Sequence, residues 1–97
     1  MGRYATEIIR SKTFWSCKIY GQICKILDDY KTENNLTDKE LAKKLKIPYK
    51  SLMKIFTGSI NIKITTLIKI CLVVDKLPEI NFISTKNYFN EHIESFM

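Results

Sequence analysis

Residues 36–58 read LTDKELAKKLKIPYKSLMKIFTG, and this stretch decides the fold. Thr37-Asp38-Lys39-Glu40 has the spacing of a capping box: the Thr37 hydroxyl accepts from the Glu40 amide while the Glu40 carboxylate reaches back to the Thr37 amide. Leu36 and Leu41 are placed as a hydrophobic staple across that cap. A short helix is therefore predicted over Asp38–Leu45, with Leu41, Ala42 and Leu45 inward. Pro48 breaks a helix interior but suits a first turn, so a second helix is predicted over Pro48–Thr57. Leu52, Ile55 and Phe56 mark its inner side. Tyr49, Lys50, Met53 and Lys54 mark its outer side. Gly58 ends it as a left-handed cap. Small Ala42 lets the two helices approach, and Ile47 and Leu52 plug the angle between them. Helix, three-residue turn and helix together make a helix-turn-helix.

Working outward, residues 12–33 repeat apolar side chains at Ile19, Ile23, Ile26, Leu27 and Tyr30. Those steps predict one amphipathic helix of about five turns, with Lys18, Lys25, Asp28 and Asp29 in water. Asn34-Asn35 supplies the stop. After Gly58, a helix is predicted over Lys63–Asp75 with Ile64, Leu67, Ile68, Cys71 and Val74 as its apolar face. Pro78 closes that region. Glu79–Ile83 alternates enough to predict a short strand with Ile80 and Phe82 on one side. Residues 85–97 predict a weak helix with Tyr88, Phe89, Ile93 and Phe96 on one face. The expected fold class is all-α in the main: four to five helices around a helix-turn-helix, with a short C-terminal β-strand. The expected organisation is one domain over residues 1–97, its core at about 12–83 and a tail at 84–97.

Charge is concentrated on the same stretch. The 97 residues carry a net charge of +6 from 16 basic and 10 acidic residues. Between Lys39 and Lys63 there are seven lysines and one acid, so the whole excess lies in 25 residues. A basic patch over a helix-turn-helix points to a polyanion more than to a merely solvated face. The two arginines, Arg3 and Arg10, lie outside it.

The run LTDKELAKKLKIPYKSLMKIFTG, continued by NIKITTLIKICLVV, resembles the Cro and lambda-repressor-like helix-turn-helix domains, the Xre family. The resemblance rests on the LTxxELAxxL opening, Ile47, the Leu52 and Ile55 pair, Gly58 and the TLIKI helix. It spans residues 36–74. FWSCKIYGQICKILDDY and LPEINF are similar to flanking segments in a subgroup of small regulators. The resemblance implies a DNA-binding transcriptional regulator acting on double-stranded DNA, expected as a homodimeric repressor. It implies that Tyr49, Lys50 and Lys54 face base edges. It implies backbone contacts from Ser59, Asn61 and Lys63, to which Lys39, Lys43 and Lys44 add charge. The sequence departs from the family pattern at Asp38, where a phosphate-touching Gln is usual, and at Lys46, where a small residue is usual. It departs again at Pro48, which replaces a Ser, and at Phe56-Thr57, which replaces a polar pair.

The side chains bound the chemistry. Arg is the commonest reader of guanine and the second helix has none. Lys50 and Lys54 are point charges without a planar fork. Modest direct readout is expected, with the shape and flexibility of AT-rich DNA carrying part of the specificity.

Contacts with a protein partner are expected from Leu72, Ile80, Phe82, Tyr88 and Phe89. Leu72 lies beside the inward set of its helix, and both coverage by another part of the chain and a dimer contact remain open for it. A lone strand at Glu79–Ile83 has unpaired edges suited to pairing with its mate across a dimer axis. Two other readings stand beside the regulator. One is an antitoxin whose tail folds on a toxin protein and which represses its own operon. The other is a protein-interaction module that kept the fold and lost DNA binding.

Several classes fall away. No apolar run approaches the roughly 18 residues of a membrane helix, and the N-terminus does not read as a signal peptide. Cys17, Cys24 and Cys71 show no CxxC spacing, so no metal site is expected and buried free thiols in a cytoplasmic protein are. His92 has no acid–base partner and is expected on the surface of the tail. No nucleophile motif or phosphate loop occurs, so no catalytic residue, no cofactor and no enzyme activity are expected.

Overall fold

The computed structural model describes residues 7–59 and 61–92. Five helices follow in order: α1 Lys12–Glu33, α2 Asp38–Leu45, α3 Tyr49–Thr57, α4 Ile64–Val73 and α5 Thr85–Glu91. Residues 7–9 are also helical. The predicted mainly α-helical class therefore holds. The chain groups into two compact units, Ile19–Pro78 and the described parts of Met1–Lys18 and Glu79–Met97.

The Ile19–Pro78 unit holds the helix-turn-helix. Its core is Ile23 and Leu27 of α1, Leu41, Ala42 and Leu45 of α2, Leu52 and Ile55 of α3, and Ile70 and Val74 at α4. Leu27, Leu41, Leu45, Leu52 and Ile70 are fully buried. Each helix, counting Val74 at the end of α4, gives two or three residues that fall on one side of it, which seats a short helix on a shared core. Ile47 in the turn packs against that core, as its spacing predicted.

The ends of α2 follow from single residues. The Thr37 hydroxyl accepts from the Glu40 amide at 3.1 Å, and the Glu40 carboxylate accepts from the Thr37 amide at 2.9 Å. Lys46 then stops α2 in the left-handed region, at φ 56°. That is why a small residue suits this position: a Cβ there costs about 1 kcal/mol. Gly58 stops α3 at φ 70°, with its amide donating to Lys54 and Ile55 carbonyls.

Four expectations about helix bounds, helix faces and the strand need correction. Pro48 is not inside α3 but caps it, extended at φ −61° and ψ 145°. Met53 of α3 is half-buried against the core rather than outward, because Phe56 and Met53 flank the Leu52–Ile55 seam. On α4 the buried residues are Ile70, Cys71 and, just past its end, Val74, with Leu67 partly covered. Ile64 and Ile68, expected inside, are 68% and 40% exposed. Finally, residues 79–83 form no strand. A strand exists only through a hydrogen-bonded neighbour, and no strand occurs elsewhere among the described residues to supply one.

The second unit is an aromatic cluster. Trp15 donates its indole N–H to the Ile9 carbonyl at 2.6 Å. Its ring meets Phe14 and Tyr88 edge-on, each at 5.1 Å. Lys18 donates to the Tyr88 hydroxyl at 3.1 Å and lies over both rings, 5.6 Å from Trp15 and 5.4 Å from Tyr88. The Ser84 hydroxyl caps α5 by accepting from the Asn87 amide. His92 stacks on Tyr88 at 4.1 Å and is half-buried, so it is not the surface residue expected. Ile93 and Phe96, expected on the same tail helix, lie outside the described residues.

Candidate nucleic-acid interface

The candidate surface is built on α2 and α3. The back of α3 is held by Leu52, fully buried, and Ile55, 2% exposed. With two points of its apolar seam fixed, the helix cannot roll, and Lys50 and Lys54 stand in water one turn apart. Tyr49 stands at the start of the helix, on the flank nearest α2. The Lys39 ammonium lies 5.8 Å from its ring centre, a cation–π contact that joins the two helices. Lys39, Lys43 and Tyr49, with Glu40, Ala42 and Ile47, line an open cavity of about 310 Å³. Tyr49, Lys39 and Lys43 are thus brought together. Lys44 is exposed on α2 as well.

Past α3, Ser59 and Thr57 exchange a hydroxyl hydrogen bond of 2.8 Å, and Thr57 also donates to the Lys54 carbonyl. The Ser59 amide donates to that carbonyl too, at 2.9 Å. The loop is therefore pinned to the last turn of α3. Asn61 and Lys63 are exposed beyond it. Lys63 is the cap position of α4 and gives it no side-chain acceptor. First-turn amides without a side-chain cap are the kind of donors that suit a phosphate.

Asp38 is not an unscreened negative charge. Lys31 of α1 donates to its carboxylate at 3.1 Å and also lies 3.8 Å from Asp28. The hydrogen bond and the charge of Asp38 hold the Lys31 ammonium above its usual pKa. The acid at the usual phosphate-touching position is thus paired before any polyanion arrives. Glu40 is likewise committed. Its carboxyl is held below the usual range by the Thr37 amide and then the Thr37 hydroxyl.

Sequence reading missed two supports. Lys31 is one; its reach to Asp38 depends on the turn at Asn35, which is left-handed at φ 52°. Opposite charges seven apart were the available signal. Lys69 is the other; its ammonium donates to the Lys46 carbonyl at 3.2 Å and holds the turn of the helix-turn-helix from α4. No local signal marks that contact.

The residues expected to meet a protein partner fall in both units. Leu72 of α4 is 57% exposed. Ile80 and Phe82 are 61% and 93% exposed on the segment between α4 and α5. Phe89 is half-buried. Tyr88 is buried within its own unit, between Trp15 and His92, so its ring is not on a surface. The three cysteines are free, but Cys17 is exposed rather than buried. Cys24 is half-buried, with its thiol 3.7 Å from the Ile55 carbonyl. Burial raises the thiol pKa of Cys24 and of Cys71. Among the described residues no group of His, Cys, Asp and Glu is arranged to hold a metal. None of the described helices is long and apolar enough to cross a membrane.

No curated protein and no solved structure matches the chain. A family comparison does match, to the helix-turn-helix family HTH_3 over residues 27–79, which is more than half of the chain and covers α2, α3 and α4 entirely. With its capping box, its left-handed turn and the lysines on α3, the chain belongs to HTH_3, the Cro/C1-type, Xre-like helix-turn-helix proteins of DNA-binding regulators.

Proposed function

We propose that this protein is a sequence-specific transcriptional regulator that binds duplex DNA with α3 in the major groove. The observation that carries the reading is the pair of faces on α3. Leu52 and Ile55 lock one face into the core, and Lys50 and Lys54 leave the other as a positive ridge. Lys50, Lys54 and Tyr49 meet base edges. Lys39, Lys43 and Lys44 on α2, and Ser59, Asn61 and Lys63 after α3, meet the phosphates that set its register. Two copies act on a two-fold symmetric site, with their α3 helices about 34 Å apart, one turn of the duplex. The protein represses by occupying that site in the cytoplasm, and works as a binding protein rather than an enzyme.

The lysine chemistry sets the character of the binding. Each ammonium that meets a phosphate displaces a counterion, so affinity falls steeply with salt. Fluorescence anisotropy with labelled AT-rich duplexes at two salt concentrations tests this. The expected result is tight binding that weakens strongly at the higher salt. Absent or salt-insensitive binding overturns it.

A further inference from the structure

We propose that the outward face of α4 is where a second copy of this chain docks, with two α4 helices packed antiparallel about an axis through Ile68. The inference adds a location to the two-copy reading above and rests on that reading for its purpose, but not for its evidence.

The face is unusual for an exposed helix. Ile64, Ile68 and Leu72 recur every four residues and are 68%, 40% and 57% exposed. Buried Ile70, Cys71 and nearby Val74 lie beside this stripe, about a third of a turn round the helix. The apolar band of α4 is thus wider than the core side alone uses, and its outer flank is left uncovered within the described residues. Its sequence, ITTLIKICLV, holds one charge in ten residues. That charge is Lys69, and its ammonium is turned onto the Lys46 carbonyl. No ion pair along α4 keeps this stripe wet.

Three features point to a second copy as the occupant. The stripe is self-complementary. An axis through Ile68 sets Ile64 of each copy against Leu72 of the other and the two Ile68 side chains against each other. An isologous contact needs that equal spacing. Charge is the second feature. A chain of net charge +6 repels its own copy over most approaches, and its lysines crowd the Lys39–Lys63 stretch. The α4 face is neutral, and antiparallel packing brings Asp75, just past the end of one α4, toward the positive end of the other. Area is the third. Three aliphatic side chains supply on the order of a few hundred Å² a side, short of the ~800 Å² of a standard stable interface. The stripe thus fits a weak, concentration-dependent pairing of like subunits rather than a permanent complex.

The test is sedimentation velocity over a concentration series without DNA, so that a failure of DNA binding cannot be mistaken for a failure of this surface. The wild type is expected to shift from monomer toward dimer as concentration rises. Ile68→Glu is expected to stay monomeric throughout, with an unchanged helical circular dichroism spectrum. A second arm stands if Ile68→Glu fails to fold. In a Cys17→Ser background, Ile68→Cys is expected to give a covalent dimer under mild oxidation, and Lys25→Cys on α1 is not. A wild type that stays monomeric at every concentration overturns the proposal. So does a folded Ile68→Glu that dimerises like the wild type, or equal cross-linking at residues 68 and 25.

Discussion

Helices α3 and α4 solve the same packing problem and end with opposite surfaces. Both are about ten residues long, and both bury one side in the shared core, through Leu52 and Ile55 on α3 and Ile70 and Cys71 on α4. Outward, α3 carries Lys50 and Lys54, while α4 carries Ile64, Ile68 and Leu72. Burial of the inner side explains why each helix is there. It says nothing about the outer side, which costs nothing to fill with lysine and something to fill with isoleucine. The outer chemistry is therefore where the two helices differ, and the proposed partners rest on it: a polyanion for α3 and a second copy for α4.

The largest test of the comparison is whether inner and outer positions separate energetically. Leu52→Ala and Ile70→Ala are expected to cost about 2–5 kcal/mol each, the cavity cost of a fully buried aliphatic. Leu72→Ala is expected to cost less than about 1 kcal/mol, because the side chain is already in water. Urea unfolding of the three variants measures this. Equal losses at Ile70 and Leu72 would mean that α4 is packed on both sides within one chain, and the contrast would break.

The next effect belongs to the outer side of α3. Reversing Lys50 and Lys54 together to Glu is expected to lower affinity for duplex DNA by about 100-fold or more, at ~1–3 kcal/mol per reading contact. The unfolding midpoint should hardly move. Anisotropy and urea unfolding on one preparation separate the two. Intact DNA binding would show that α3 is not the reader.

Smaller effects sharpen the comparison by testing how α2 steadies α3. Thr37→Ala removes the cap acceptor and is expected to cost about 1 kcal/mol. The box also has a pH signature. Because the folded carboxyl of Glu40 is held below its usual pKa, its stabilisation is present above the unfolded value and is lost as pH falls through the folded one. Tm should therefore drop more on acidification for the wild type than for Glu40→Gln. A parallel pair of pH profiles would show that the carboxylate contributes nothing.

An effect of similar size is expected at the end of α3. Gly58 has φ 70° and open space where a Cβ would stand. Gly58→Ala should therefore cost only the backbone strain, roughly 1 kcal/mol, with no steric addition. A thermal melt reads it.

The sequence was legible where a residue forces a geometry. The span of α2 follows from the Thr37–Glu40 box at one end, and the end of α3 follows from Gly58. The start of α3 was one residue off because proline serves equally as a cap or as a first helical residue. The face of α4 is legible at Leu67, Cys71 and Val74 but not at Ile64, Ile68 and Ile70, for a physical reason. Seven of its ten residues are apolar, so the periodic signal that locates a buried side is almost gone, and Ile70 could not be told from Ile64 or Ile68. The strand at residues 79–83 rested on alternation alone, and alternation does not supply a neighbour. At the candidate site, the lysines of α3 could be read from spacing. The pairing of Lys31 with Asp38 had only opposite charges seven apart as its signal, because it spans a turn whose direction depends on one left-handed residue.

Among the described residues, three helix ends take a left-handed residue without glycine: Asn35, Lys46 and Asp75. Each accepts strain in the folded state. Each also leaves fewer conformations open to the unfolded chain than glycine would. The cost of an awkward native angle is partly returned as a smaller loss of disorder on folding. By contrast α3, the helix with the lysine ridge, ends on Gly58, which takes the left-handed angle without that strain.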